Sequence, residues 1–300
     1  MLYFSDLSIK DRDIFNKYLK AGRYEASEMN FSNFFMWRKV YNFRYVEIEE
    51  HLCIIALPKV GEPYAMLPIG SGNKEKLVLI INELLEYFKT KGWEFKFNRV
   101  EEGKLELLKA LKEDFDFVFE SDRDNSDYLY ASSDLINLKG KKYDGKRNHI
   151  NKFKKSYSYE YKPVTSQEID DCKIILEQWC AERSCDENGD FTCEKLANFE
   201  LLDNFDEFGV KGAIIYVDSK PEAFTVGELL NNNTAVIHIE KANSSINGLY
   251  TFINQQFCTN VWSDYEFINR EQDLGLEGLR KAKLSYNPIG LITKYTVSIN

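Results

Sequence analysis

The 300-residue chain has no run approaching the roughly 18 consecutive apolar residues of a membrane-crossing helix, and its opening, MLYFSDLSIKDRD, lacks the basic start and apolar stretch of a secretory signal. Both absences predict a cytoplasmic protein. The six cysteines (Cys53, Cys172, Cys180, Cys185, Cys193 and Cys258) include no C-x-x-C pair, so neither a zinc site nor a disulfide framework is indicated and the thiols are expected to be reduced. Only three histidines are present, which leaves no evident catalytic triad or metal cluster; His51 and His149 read as incidental. Six prolines and sixteen glycines are too few for a collagen-like or linker-dominated chain. An excess of positive charge is missing as well: 39 Lys and Arg against 48 Asp and Glu leave a net −9, which argues against a protein that coats nucleic acid over its whole surface.

What is present describes a globular protein. Hydrophobic residues make up 44% and charged residues 29%, outside the range of a disordered chain. A length of 300 residues favours two compact units over one. Aromatic residues are abundant, with 21 Phe, 18 Tyr and 4 Trp, and most must serve the core.

An internal repeat organises the rest. MLPIGSGNKEKLVLIINELLEYF, from Met66, aligns with HIEKANSSINGLYTFINQQF, from His238, at a shift of 172 residues, and pairs Ile81-Asn82 with Ile253-Asn254. EFKFNRVEEGKLELLKAL, from Glu94, aligns with EFINREQDLGLEGLRKAK, from Glu266, pairing Asn98-Arg99 with Asn269-Arg270. The patterns agree with two copies of one layout. In the first, residues 8–22 and about 30–40 read as helices, and YVEIEE, CIIAL and YAMLPI as a three-stranded meander. Leu77, Ile80, Ile81, Leu84, Leu85 and Phe88 mark one helix face that ends at Lys91-Gly92. EFKFNRV reads as a strand, Leu105–Leu111 as a short helix, and DFDFVFES and DYLYAS as two late strands. The second copy offers helices near 166–183 and 193–206 and strands AIIYV, EAFTV and TAVIHIE. Then come a helix carrying Ile246, Leu249, Ile253 and Phe257, the strand YEFIN, a helix near 275–284 and the strand GLITKYTVSI.

That order resembles the GNAT-type acyltransferase fold, met twice: an α+β tandem duplication of a GNAT-like mixed sheet flanked by helices, with domains at 1–135 and 161–300 and a basic linker at 136–160. The linker sequence LINLKGKKYDGKRNHINKFKKSYSYEY, together with NREQDLGLEGLRKAKLSYNP, resembles the DUF2156-like family that shares the C-terminal domain of phosphatidylglycerol lysyltransferase and is related to the FemABX peptidyltransferases. The resemblance covers most of the chain and excludes the multi-pass membrane half of the full-length lysyltransferases. It implies transfer of an aminoacyl group from aminoacyl-tRNA, or another phosphorylated donor, to an amine or hydroxyl, with the reaction centre in the second copy. No metal or other cofactor is required by that chemistry. Contact with a membrane surface stays open.

Three groups of residues could carry such a reaction. Lys139–Lys155 holds eight basic residues, Lys146 and Arg147 among them, against the single acid Asp144, a local +7 in a chain of −9. This stretch would hold tRNA phosphates, or else be an amphipathic helix docked through Ile150 and Phe153 with its lysines in water. The loops GSGNKEK (Gly70, Gly72, Lys74) and ANSSINGLY (Ser244, Ser245, Gly248) occupy the position where GNAT enzymes bind pyrophosphate at a helix N-terminus. Neither has the Arg/Gln-x-x-Gly-x-Gly/Ala pattern, so acetyl-CoA is disfavoured and a structural cap is the alternative. Finally, acyl transfer needs a base, donors for an oxyanion and a site for an ammonium group. Alternation puts His238 and Glu240 on one strand face; Glu228 follows EAFTV; Asn269, Arg270, Glu271 and Asp273 end YEFIN, with Lys283 able to join them. A purely architectural ion network is the competing reading of that string.

Overall fold

The computed structural model describes residues 2–183 and 189–300. The first copy runs β1 (Ser5–Asp6), α1 (Arg12–Gly22), α2 (Phe31–Tyr41), β2 (Phe43–Ile48), β3 (His51–Ala56), β4 (Tyr64–Ala65), α3 (Lys74–Lys91), β5 (Lys96–Glu101), α4 (Leu105–Lys109) and β6 (Phe117–Ala131). There follow α5 (Ser132–Asn137), α6 (Asp144–Ser156), β7 (Tyr159–Pro163), α7 (Ile169–Glu182), α8 (Gly189–Asp203), α9 (Phe205–Phe208), β8 (Lys211–Val217), β9 (Lys220–Leu229), β10 (Thr234–Ala242), α10 (Leu249–Val261), β11 (Phe267–Asn269), α11 (Glu277–Leu284) and β12 (Gly290–Ile299). The helix, helix, three strands, helix, strand, helix, strand order therefore occurs twice.

The chain folds as two compact units. One comprises Met1–Asp127, Gln272–Gly275 and Ile292–Asn300; the other comprises Tyr128–Glu271 and Leu276–Leu291. A division at residues 135 and 160, as drawn from the repeat, is continuous in sequence, whereas these compact units are not. In the first unit the strand order is β1-β2-β3-β4-β5-β12-β6. There β4 runs parallel to β5, with Ala65 opposite Phe97. In the second unit the order is β6-β11-β10-β9-β8-β7, with β10 and β11 parallel and the remaining pairs antiparallel.

Local chemistry explains these elements. Asn73 caps α3 by accepting from the Lys76 N–H at 3.0 Å, and Gly92, at φ 70°, ends it in the left-handed region that glycine tolerates best. Between them Leu77, Ile80, Ile81, Leu84 and Phe88 are buried against Ile55, Phe97 and Val297, each contributing about 1.5–3 kcal/mol of apolar burial. In the second unit α10 does the same work with Leu249, Phe252, Ile253 and Phe257. The basic stretch forms a short turn and then α6. Ile150 and Phe153 are buried there, and the Phe153 ring lies 4.8 Å from that of Phe252.

Two strand expectations are corrected. DFDFVFES and DYLYAS are one 15-residue strand, β6. It stays extended through polar residues because Lys294 bonds Ser126 and Asp127 from β12, at 3.3 and 2.7 Å. YAMLPI shortens to β4, since Pro68 offers no N–H, and the chain rejoins β3 only where Ile69 and Leu52 exchange backbone bonds of 2.9 Å. Cys53, Cys172, Cys180 and Cys258 are free thiols. Cys185 lies outside the described residues, as does the side chain of Cys193.

The first unit also contains a buried ion network that no sequence pattern announced. The fully buried Lys294 ammonium lies 2.6 Å from Glu28 and 2.7 Å from Asp127, while Arg99 donates to Glu28 at 2.8 Å and to Tyr41 at 2.9 Å. Burial would raise the Glu28 carboxyl, but Lys294 and Arg99 outweigh it and hold its pKa below the ordinary range. Lys294→Met should cost about 3–5 kcal/mol in urea unfolding, because buried Asp127 loses the Lys294 ammonium and buried Glu28 loses one of its two cations. An unchanged midpoint would refute that assignment.

Candidate functional site

In the second unit β10 and β11 pair only from Thr234, Ala235 and Val236 to Phe267, Ile268 and Asn269. Beyond that register the ladder stops, and side chains take over the connection. A bulge against β9, between Ile237 and Ile239, falls at His238. It sits beside Gly227, where a Cβ would collide with the carbonyl oxygen of Val236. Ile237 and Ile239 enter the core while His238 and Glu240 take the other face, as the alternation predicts.

The His238 side chain is fully shielded from solvent and bonded at both ring nitrogens. Nδ1 lies 2.8 Å from Glu271 Oε1 and Nε2 3.0 Å from Glu228 Oε1. Burial alone would lower its pKa, but the hydrogen bonds that its ring donates to Glu228 and Glu271, and the charges of those carboxylates, prevail and raise it to about 9. The ring is therefore a cation at neutral pH, donating to two carboxylates. Alongside, Glu240 accepts from Arg270 Nη2 and from Asn254 Nδ2, both at 2.8 Å. The Arg270 guanidinium stacks 4.6 Å from the Tyr286 ring centroid and 5.7 Å from that of Tyr130. Its Nη1 is buried without a hydrogen-bond partner among the described residues, an arrangement that costs free energy unless something accepts from it.

The turn after β11 aims these groups. Glu271 adopts φ 55°, unfavourable for a residue with a Cβ. Asn269 Oδ1 accepts its N–H at 2.8 Å, and Lys283 Nζ donates to the carbonyls of Arg270 and, at 3.1 Å, of Glu271. Asn269 and Lys283 hence shape the turn that carries Arg270 and Glu271. Lys146, from α6, donates to Ser285 Oγ at 2.7 Å and lies 3.6 Å from the Tyr286 centroid.

The other predicted residues are engaged elsewhere. Asp273 belongs to the first unit, fully buried, where it accepts from the Gly275 N–H at 2.9 Å and from Arg123 at 3.3 Å. Arg147 binds the carbonyls of Leu138 and Gly140 and the Asp144 carboxylate, pinning the start of its own helix. Ser244 donates to Glu182 at 3.1 Å, and Ser245 donates to Asn243 at 2.6 Å. Lys74 pairs with Asp114 at 3.9 Å. The N-terminus of α10 is covered by α6. His149 Nδ1 is 2.8 Å from Asn247 Oδ1, and a Cβ at Gly248 would collide with the His149 carbonyl oxygen. Tyr286 and Asn254 are not among the residues singled out by sequence, because an aromatic ring and an amide on helical or loop segments give no local sign of the ion pair they will meet. Among the described residues no group of three or more His, Cys, Asp or Glu is arranged to hold a metal ion, and no helix is long and apolar enough to cross a membrane.

The family described as phosphatidylglycerol lysyltransferase, C-terminal, matches residues 21–298. The chain belongs to this family. A conserved protein of unknown function from Bacteroides thetaiotaomicron is 36% identical, with all of each chain covered and a TM-score of 0.92. The C-terminal DUF2156 domain of a putative lysylphosphatidylglycerol synthetase from Agrobacterium fabrum is 13% identical, covers 98% of this chain and 93% of its own, and scores 0.66. FemX is 10% identical over 100% and 98% of the two chains, with a TM-score of 0.61. At such low identities the last two speak for the fold, which is tandem GNAT-like. An uncharacterised protein of Mycoplasmoides gallisepticum is 26% identical over 197 residues; the match spans 65% of this chain and 62% of that protein's length.

The shielded imidazolium of this lysyltransferase-family chain makes stability depend on pH. Its folded pKa of about 9 lies above the ordinary 6.5, so the contribution is complete below pH 6.5 and disappears as pH rises through 9; its size is on the order of 3 kcal/mol. Urea unfolding of the wild type should lose stability over that window relative to His238→Gln. Parallel pH profiles for the two proteins would contradict the assignment.

Proposed function

We propose that the second unit transfers an aminoacyl group from aminoacyl-tRNA to an amine or hydroxyl acceptor. One observation carries the reading: consecutive residues Arg270 and Glu271 place a buried guanidinium N–H, without an acceptor among the described residues, and a carboxylate at the point where β10 and β11 part. Acyl transfer needs charge of both signs in one site. Glu228 and Glu271 around a single imidazolium leave one net negative charge, suited to an α-ammonium group. Arg270 Nη1 is suited to the oxygen that becomes negative when the ester carbonyl is attacked. Glu240 and Asn254 orient the guanidinium, and Asn269 and Lys283 hold the turn. The family name specifies lysyl transfer to phosphatidylglycerol, which agrees with an aminoacyl donor.

The basic surface supports tRNA as the carrier. Lys141, Lys152, Lys154 and Lys155 are exposed on α6 and the turn before it, in the most basic stretch of an acidic chain. Coenzyme A is a weaker reading. In a GNAT-like unit its pyrophosphate would lie at the N-terminus of α10, and α6 fills that space through His149.

The test is incubation with tRNA pools charged with labelled amino acids, followed by release of label to small amines and to phospholipid vesicles. Arg270→Met should lower kcat/KM roughly 10²–10³-fold. The triple substitution Lys141→Ala, Lys152→Ala, Lys155→Ala should weaken tRNA binding and flatten its salt dependence by about 0.9 in log–log slope for each phosphate no longer neutralised. Consumption of acetyl-CoA with charged tRNA untouched would replace this reading by N-acetylation. Tight tRNA binding without turnover would make the chain a binding module.

A further inference from the structure

The carboxylates that the sequence offers as bases are all occupied as acceptors in the second unit. Glu228 and Glu271 receive the two N–H groups of His238, and Glu240 receives Arg270 and Asn254. Lys146 stands in a different condition. Its Nζ donates to Ser285 Oγ at 2.7 Å, and that hydroxyl directs its own hydrogen to the Ala282 carbonyl at 2.5 Å, so Ser285 can only accept from the lysine. The Tyr286 ring, which also stacks on Arg270, covers the amine at 3.6 Å. Among the described residues Lys146 makes no ion pair, in contrast to Arg270, which is bound to Glu240.

The groups facing it come from three directions. Arg270, after β11, opposes a second positive charge; Glu240, on β10, favours one; Tyr286 and Ser285, after α11, bring burial and a single acceptor. On its own side of the unit, Lys142 is paired with Asp134 and Arg147 with Asp144. Burial acts first and Arg270 second, and together they bring the ammonium down from 10.5 to about 8, against the pull of Glu240. A neutral amine in this setting keeps one hydrogen on Ser285 and a lone pair that Ser285 cannot take.

We propose that Lys146 is the proton acceptor of the transfer reaction, taking the proton of the attacking amine or hydroxyl. The inference rests on the aminoacyl-transfer reading. The acceptor heteroatom bonds to the ester carbonyl carbon and its proton passes to Lys146 Nζ, while Arg270 Nη1 donates to the resulting oxyanion. Collapse of that intermediate breaks the carbon–oxygen bond to the tRNA ribose. The departing ribose oxygen takes the proton back from the Lys146 ammonium, and the site returns to its starting state.

Two measurements separate this claim from the reading beneath it. Competitive labelling of the wild-type protein with trace acetic anhydride, read lysine by lysine by mass spectrometry across pH, needs no substrate. Lys146 should reach half-maximal reactivity near pH 8, well below the ordinary lysine value of about 10.4. In the transfer assay, Lys146→Arg and Lys146→Met should lower kcat roughly 10²–10⁴-fold while the KM for charged tRNA and the Kd for tRNA move by less than about threefold. A phosphate ligand would show the opposite split. An ordinary labelling midpoint overturns the proposal whatever the activity, and so does unchanged kcat in Lys146→Arg. Absence of turnover in the wild type overturns both readings and is recognised as such, because the labelling result stands apart from it.

Discussion

When two parallel strands stop pairing, the groups along their inner edges lose the ladder and must be satisfied by something else. In the second unit that happens just past Val236 and Asn269; there Lys283 takes the carbonyls of Arg270 and Glu271, Asn269 takes the Glu271 N–H, and side-chain ion pairs span the gap. His238 reaches Glu271, and Glu240 reaches Arg270, so two residues beyond the last backbone register on β10 are tied to two beyond the last on β11. Much else follows from this opening. The left-handed turn at Glu271, the Lys283 clamp on its carbonyls, the bulge at His238 and the glycine at 227 all hold the charged side chains across it.

The first unit meets the same condition with a different outcome. Its parallel pairing of β4 with β5 is confined to Ala65 and Phe97. Arg99, the repeat counterpart of Arg270, turns to Glu28 and Tyr41, and Glu28 and Asp127 share the ammonium of Lys294. Both carboxylate oxygens of Glu28 thus meet a cation from within that unit. Among its described residues the second unit instead leaves a buried guanidinium N–H without an acceptor and the Lys146 amine without a carboxylate. A duplicated scaffold has kept the arginine in both copies while assigning it different surroundings.

Most of the framework was legible in the residues. The apolar stripes of α3 and α10, the alternation of His238 and Glu240 with Ile237 and Ile239 on β10, and the repeat of Asn-Arg within β5 and at the end of β11 are local signals, and local signals survive without tertiary context. Misreadings came where distant partners override the local pattern. β6 continues through Ser126 and Asp127 because Lys294 satisfies them. Candidate residues divide in the same way: Glu228, His238, Glu240, Arg270 and Glu271 converge, whereas Arg147 serves its own helix and Asp273 a different unit.

The amino-acid order alone determined the doubled layout, the element types and which charged residues stand at strand ends, since hydrophobic periodicity and turn chemistry act over a few residues. Tertiary structure decided which of those charges meet, because the partners of His238 and Arg270 are separated by 10 to 33 positions and only the fold brings them within hydrogen-bond reach. It also decided what no pattern encodes: that Tyr286 covers Lys146, that Arg270 holds a buried donor in reserve, and that α6 closes the start of α10.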